Sequence, residues 1–214
     1  MEAGRFGTEA LCDSQLVGCT DRDEVRAEYV KQMLKLSDNP PMIPPGILSV
    51  AEMEGPWWVA HTKARFEKAF AWDLLNRGIG YFLPLREKVA ISGGKKRRVQ
   101  MPLFTSYVFF SGTTEQRYAA MTTGRLCQTI EVKDQSRFLS QISAIQKALA
   151  GKLPMDPYPF AAVGRRCRVT AGPLEGMEGV VVQRDKLARL VLEVSILGQG
   201  ASVEIDADLL EAVD

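Results

Sequence analysis

The sequence predicts an α+β protein with two folded parts, and three observations support this. Between residues 55 and 150, runs of β-branched and aromatic residues alternate with three segments of helical apolar spacing. Three prolines between residues 151 and 162 predict a linker. The remaining 163–214 contain short apolar runs separated by glycine turns, a pattern typical of a small β-barrel.

In the 55–150 region, strands are predicted at 57–62, 81–86, 89–98, 99–110 and 129–132, and helices at 66–76, 115–121 and 136–149. The strand at 57–62 places Trp57 and Trp58 on opposite faces, so at least one of them belongs to a core. A Ser-Gly-Gly sequence at 92–94 predicts the turn of a hairpin inside 89–98. In the last helix, Leu139 and Ile142 begin an apolar stripe that marks its buried side.

In the C-terminal part, strands are predicted near 166–170, 179–184, 187–194 and 202–205. The sequence VTAGPLEGMEGVVV at 169–182 places three glycines in one sharp bend between valine-rich runs. Leu174 and Met177 are the apolar side chains of this bend. Contact with a partner and filling of the core are equally open for both residues.

Residues 1–54 are predicted to be an extension of the folded parts. Residues 1–20 show no sustained periodicity, which predicts disorder, whereas 21–36 have helical spacing with a capping aspartate. The proline-rich stretch that follows favours an extended chain. Whether the helix orders only against a partner stays open.

Composition points to a cytoplasmic protein that works without a metal or cofactor. There is no apolar run long enough to span a membrane, and the first residues do not form a secretion signal. The four cysteines are irregularly spaced and His61 is the only histidine, so a zinc site is not expected. The chain also lacks the common nucleotide-binding, hydrolase and metalloprotease motifs. We therefore expect a monomeric binding protein rather than an enzyme.

Charge is unevenly distributed along the chain. Residues 55–152 contain 16 basic and 6 acidic residues, whereas the segments on either side are acidic. The densest cluster is KKRR at 95–98, on the predicted hairpin, where its cations suit contacts with phosphates. Solvated surface cations that favour solubility are the alternative interpretation. A basic middle region indicates a polyanion or an acidic protein as the partner.

The predicted strand around 103–110 is apolar on both faces, with Tyr107 and Phe109 on one and Val108 and Phe110 on the other. A sheet that is covered on one side needs a single apolar face. The second face therefore either packs inside the domain or binds another molecule. Aromatic residues are frequent in binding hot spots.

Taken in order, these segments resemble the NusG-type transcription elongation and antitermination factors, whose specialised paralogues include RfaH. The sequence WWVAHTK at 57–63 is similar to the first strand of the family's N-terminal (NGN) domain. The sequence PLFTSYVF at 102–109 is similar to the signature Pro-Leu-Phe-Pro-Gly-Tyr-x-Phe. Residues 164–211, with GPL at 172–174 and ILG at 196–198, look like the family's KOW domain. The resemblance extends over residues 56–213.

The resemblance implies an NGN-like antiparallel sheet with flanking helices at 55–150, a linker at 151–162 and an SH3-like KOW barrel at 163–214. It implies that Phe104, Tyr107 and Phe109 bind the clamp helices of RNA polymerase, on a face left vacant for them. Upstream or non-template DNA would be contacted by Lys63, Arg65, Lys95, Lys96, Arg97 and Arg98. A ribosomal protein or Rho would bind the KOW domain through Leu174, Met177 and Ile196.

Two departures from the family pattern favour a specialised paralogue. Thr105 and Ser106 stand where the signature has Pro-Gly, and the extension 1–54 lies outside the shared region. The valine runs favour a β-structured KOW domain that does not refold into helices. The alternative function is a KOW-containing module that binds RNA or the ribosome, but residues 153–214 are acidic, with 6 basic and 10 acidic residues.

Overall fold

The computed structural model describes residues 39–92, 95–158, 164–184 and 187–213. The predicted disorder at 1–20 and the predicted helix at 21–36 lie outside these residues. In chain order the elements are β1 (Trp57–Thr62), α1 (Glu67–Asn76), β2 (Gly80–Phe82), β3 (Leu85–Ser92), β4 (Lys95–Pro102), β5 (Tyr107–Ser111), α2 (Thr114–Met121), β6 (Leu126–Glu131), α3 (Gln135–Ala150), β7 (Met155–Tyr158), β8 (Arg165–Val169), β9 (Glu178–Arg184), β10 (Leu187–Val194), β11 (Gln199–Glu204) and β12 (Leu210–Ala212).

The N-terminal part is an antiparallel sheet of four strands in the order β2-β5-β1-β6. One face packs with α1, where the rings of Phe70 and Phe110 meet edge to face with centroids 6.2 Å apart. The other face packs with α3, where Phe138 contacts Phe109 with centroids 5.4 Å apart. Both faces of β1 and β5 are therefore covered, which explains why Trp57 and Trp58 are both buried.

The helices α2 and α3 each begin one residue before the predicted start, and each has a side-chain N-cap. Thr113 Oγ1 accepts a hydrogen bond from Gln116 N, and Gln116 Oε1 accepts one from Thr113 N, which forms a capping box. At α3, Asp134 Oδ1 accepts from Arg137 N at 3.0 Å. Both caps satisfy backbone donors that have no partner inside the helix.

Residues 39–54 pack along the N-terminal part instead of extending away from it. Met42 O accepts a hydrogen bond from Leu83 N at 2.8 Å. The side-chain amide of Gln146 on α3 accepts from Val50 N at 2.9 Å and donates to Leu48 O at 2.8 Å. Val50 is completely buried. The folded structure therefore begins well before the predicted boundary at residue 55.

The C-terminal part is an antiparallel sheet of six strands in the order β12-β8-β9-β10-β11-β7. Among the described residues no pairing joins β7 to β12, so the sheet is open, and the predicted closed SH3-like barrel is not confirmed. β7 lies within the predicted linker 151–162, which corrects the prediction for those four residues: their backbone pairs with β11. β12 is a strand that the sequence did not predict.

The glycine bend is a tight connection between β8 and β9. Gly172 and Gly176 have φ values of +89° and +76°, where a side chain would be strained. Gly179 has another role, because a Cβ atom there would lie 2.7 Å from Val191 O on the neighbouring strand. The prediction of positive φ therefore holds for two of the three glycines, and the third allows close packing of β9 on β10.

The two parts contact each other along α3. Gln141 Nε2 donates to Ser195 Oγ at 2.6 Å, and Gln141 Oε1 accepts from Ser195 N at 3.2 Å. A second contact is the ion pair between Arg86 on β3 and Asp156 on β7, with 2.8 Å between nitrogen and oxygen. One face of α3 thus covers the first sheet, while Gln141 contacts the second part.

Candidate functional site

Phe104 and Phe109, predicted to contact a partner directly, lie in the core. Phe109 is fully buried among Phe82, Phe104 and Phe138, with ring centroids 5.4 to 6.2 Å away. The expected vacant face of β5 is therefore occupied, which corrects the prediction. The physical reason is that Phe138 and Ile142 of α3 pack on the same face of the sheet as Phe109.

Tyr107 lies at the margin of this aromatic cluster and is partly exposed. Its ring stacks on His61, with centroids 5.1 Å apart and ring planes at 22°. His61 therefore packs against the ring of Tyr107. Of the three predicted aromatic residues, Tyr107 is the one that a partner can reach in this structure.

The turn before Tyr107 shows how the chain replaces the Gly of the family signature. Ser106 has a φ of +66°, in the left-handed region that favours glycine. Its N–H donates to the buried carboxylate of Glu67 at 2.7 Å, and its C=O accepts from Thr62 N at 2.8 Å. Two hydrogen bonds thus hold a serine in a conformation that serine adopts at a cost.

Two of the cations predicted to contact DNA follow β1 in the chain. Lys63 is exposed, and its Nζ donates to Gly124 O at 2.7 Å. Arg65 is exposed with a φ of +66°, and its guanidinium has no hydrogen bond or ion pair with any residue that the structure describes. Both side chains are therefore able to reach a phosphate.

The predicted basic hairpin is formed by β3 and β4, with pairing from Leu85↔Pro102 to Ser92↔Lys95. Lys96 and Arg98 are exposed, and Arg98 is 3.2 Å from the carboxylate of Glu87. The side chains of Lys95 and Arg97 lie outside the described part of the chain. At the base of the hairpin, Lys68 Nζ donates to Gln100 O at 2.5 Å, and burial lowers the pKa of this ammonium group.

Four exposed apolar residues on the same hairpin were missed in the sequence. These are Val89, Ile91, Val99 and Met101, exposed by 55%, 72%, 37% and 40%. The available signal was the two-residue spacing of these apolar residues, at 89 and 91 on β3 and at 99 and 101 on β4, but half-buried strands show the same spacing. Only the tertiary structure, in which no further strand of the described residues pairs with the hairpin, reveals that these side chains face solvent.

Leu174 and Met177, the predicted partner contacts of the glycine bend, are buried. The bend closes on itself, because Met177 O accepts from Val169 N at 2.9 Å and Gly176 N donates to Val169 O at 2.8 Å. Both side chains therefore fill the core. The prediction that they contact a partner directly is wrong for this arrangement.

Two clefts lie along α3 beside the C-terminal sheet. The larger has a volume of about 680 Å³; it is lined by Arg137 and Lys147 on the helix side and by Glu175, Glu178 and Glu193 on the sheet side. The smaller, of about 380 Å³, has an apolar floor that includes Val132, Phe138 and Ile196. Ile196, the third predicted contact, therefore lies against the N-terminal part.

The described residues contain no candidate metal site. No group of three histidine, cysteine, aspartate or glutamate side chains in these ranges could hold a metal ion. Within the same ranges, Cys127 is exposed and Cys167 is buried, and neither forms a disulfide. No helix of the described chain is long and apolar enough to cross a membrane.

Residues 55–147 match the protein-family model NusG, which is described as transcription termination factor nusG. No curated protein matches the chain. Among solved structures, one on domain interaction in Thermotoga maritima NusG is similar at 18% identity, covering 76% of this chain and 99% of that one, with a TM-score of 0.44. A crystal structure of the MjSpt4:Spt5 complex in conformation B is similar at 16% identity, covering 74% of this chain and 97% of that one, with a TM-score of 0.23.

Proposed function

We propose that the protein is an elongation or antitermination factor that binds RNA polymerase, because residues 55–147 match the NusG family model. The family match carries this proposal. The fold adds a sheet packed between helices, with a basic hairpin that leaves its outer part free. The protein acts by binding, because a factor that prefers one state of the polymerase clamp shifts the equilibrium toward it. Suppressed pausing or termination is the expected result.

The polymerase contact is assigned to the partly exposed edge of the aromatic cluster. Tyr107 and His61 form a stacked pair there, and the exposed Lys63 follows the end of β1. Phe104 and Phe109 support this edge from below, because they hold β5 against α3. A tyrosine at such a position buries a large area at a small cost in side-chain entropy.

We assign recruitment of a further partner, a ribosomal protein or Rho, to the KOW-like region at 163–214. The contact residues there are Leu174, Met177 and Ile196, which are partly or fully buried in this structure. A partner that uses them competes with the contact between α3 and the C-terminal sheet. Binding of this partner therefore requires that the region separate from α3, with the chain bending at residues 151–154 between α3 and β7.

The decisive experiment is capture of core RNA polymerase by the full-length chain, followed by a pausing assay on the same complex. Tyr107→Ala should weaken capture about tenfold or more, because tyrosine is a frequent hot-spot residue. Cys127→Ser is the matched control, since Cys127 is exposed on the edge strand β6. Failure of the wild-type chain to capture polymerase would contradict the function. Capture that Tyr107→Ala leaves unchanged would contradict the assigned surface.

A further inference from the structure

Both faces of the β3–β4 hairpin carry exposed side chains among the described residues. The two strands form a sheet of their own, and no third strand of the described chain pairs with them. Four of the eight large apolar residues exposed in the described chain lie on this hairpin. Such side chains scattered singly need no explanation, but four on one ribbon do.

Each of these four residues lies directly opposite a cation on the other strand. The pairs are Val89↔Arg98, Ile91↔Lys96, Lys88↔Val99 and Arg86↔Met101. Cross-strand partners share a face of the ribbon, and neighbours along a strand alternate between faces. Each face therefore combines apolar side chains with cations in adjacent positions.

The hairpin as a whole is strongly positive. Residues 85–102 contain six basic residues and one acidic residue, Glu87. Glu87 pairs with Arg98, and Arg86 pairs with Asp156, which lies on another element. The ammonium groups of Lys88 and Lys96 make no hydrogen bond or ion pair with the described residues, and both side chains are exposed. The outer half of the ribbon thus presents uncompensated positive charge.

We propose that this hairpin enters a groove of duplex DNA, where its apolar side chains contact the bases. A two-stranded ribbon fits the width of the major groove, and apolar side chains of other proteins wedge between base steps in the minor groove. Lys88, Lys96 and Arg98 would neutralise phosphates along the groove. Ile91 and Val89, next to the turn, would contact base edges or sugars. This assignment deepens the proposed function, on which it rests for its place at the transcribed DNA.

The charge pattern favours DNA over a protein as the occupant. The buried centre of a protein interface is depleted in charged residues, and lysine in particular is rare there. Each of the four exposed apolar side chains of this ribbon has a facing cation, so a protein that covered them would desolvate several charges. A DNA groove offers phosphates for the cations and apolar sugar and base surfaces between them.

The test is a salt titration of binding between the full-length chain and a short blunt-ended duplex DNA. Ile91→Thr and Val89→Thr keep β-branched side chains, so the hairpin should stay folded. Each should weaken binding about tenfold while the slope of log affinity against log salt stays as in the wild type. Lys96→Gln should instead reduce the magnitude of that slope by about 0.9. Leu48→Ser is the matched control, because Leu48 is 82% exposed far from the hairpin in sequence.

Each possible outcome decides for or against the groove contact. If both threonine variants bind DNA like the wild type while Lys96→Gln weakens binding, the hairpin contacts phosphates only and the inference is overturned. It is also overturned if the threonine variants lose polymerase capture and keep DNA affinity, since the apolar residues would then face a protein. If the chain fails to capture polymerase but the DNA titrations give the expected results, the proposed function is contradicted and the groove contact is supported.

Discussion

Two stretches of this chain, β5 and the β3–β4 hairpin, have apolar side chains on both faces, yet one is sealed and the other is open. On β5, helices cover both faces, and Phe109 and Phe110 are completely buried. On the hairpin, exposed apolar side chains lie on both faces, and Ile91 is among the most exposed apolar residues of the described chain. The difference lies in the neighbours across the strand: aromatic and aliphatic residues flank β5, whereas cations face every exposed apolar residue of the hairpin.

The largest expected effect comes from truncating the centre of the sealed face. Phe109→Ala should lower the free energy of unfolding by about 3–5 kcal/mol, because it removes a ring packed on three others and leaves a cavity. Denaturant unfolding measures this loss. Ile91→Thr on the hairpin is the counterpart and should change stability by less than about 0.5 kcal/mol. If the Phe109→Ala variant is as stable as the wild type, the covered face of β5 does not contribute more to stability than the exposed hairpin.

A smaller effect is expected for the contact between α3 and the C-terminal part. Gln141→Ala removes both hydrogen bonds to Ser195 and should cost about 1–2 kcal/mol of the contact between the two parts. Hydrogen exchange should then increase for the backbone amides of 174–177, while exchange in β1 and β5 stays unchanged. Gln128→Ala on the exposed edge of the first sheet is the control. Unchanged exchange at 174–177 would show that this contact does not hold the bend against α3.

A further test concerns the entrance to β5. Ser106→Gly relieves a side chain from the left-handed conformation and should raise the free energy of unfolding by up to about 1 kcal/mol. Thermal unfolding measures the gain. Ser106→Ala keeps the strain and is the control for loss of the hydroxyl group. Equal stability of the glycine and alanine variants would mean that the two hydrogen bonds, rather than glycine's freedom, determine this turn.

The smallest effect is expected at the exposed carboxylate of Glu178 on β9. Its hydrogen bond from Arg168, with 2.6 Å between nitrogen and oxygen, holds the pKa of Glu178 below its usual value. A depressed pKa in the folded state contributes stability that is present above the carboxyl's unfolded pKa and is lost as pH falls through the folded one. Glu178→Gln should therefore reduce the loss of stability on acidification, measured by denaturant unfolding at neutral and acidic pH. An identical pH profile would contradict this assignment.

Particular residues show where the sequence was sufficient and where it was not. The apolar stripe of α3 is a local pattern, so the helix was predicted within one residue of its bounds. The position of α3 on the Phe109 face is not a local property, and it overturned the predicted vacant surface. Likewise, Leu174 and Met177 were recognised as apolar residues of a glycine bend, but packing decided that they point inward. The same reasoning failed for β7, whose prolines predicted a linker although its backbone pairs with β11.

The sequence by itself determined most helices and strands between residues 57 and 150, the basic hairpin and the similarity of residues 55–147 to the NusG family, because periodicity, turn residues and charge are properties of neighbouring positions. The tertiary structure decided which apolar faces are covered and where residues 39–54 pack. It also decided that the second sheet lies along α3. These choices depend on contacts between segments far apart in the chain, and the free energy of such contacts comes from burying surfaces together rather than from any one segment.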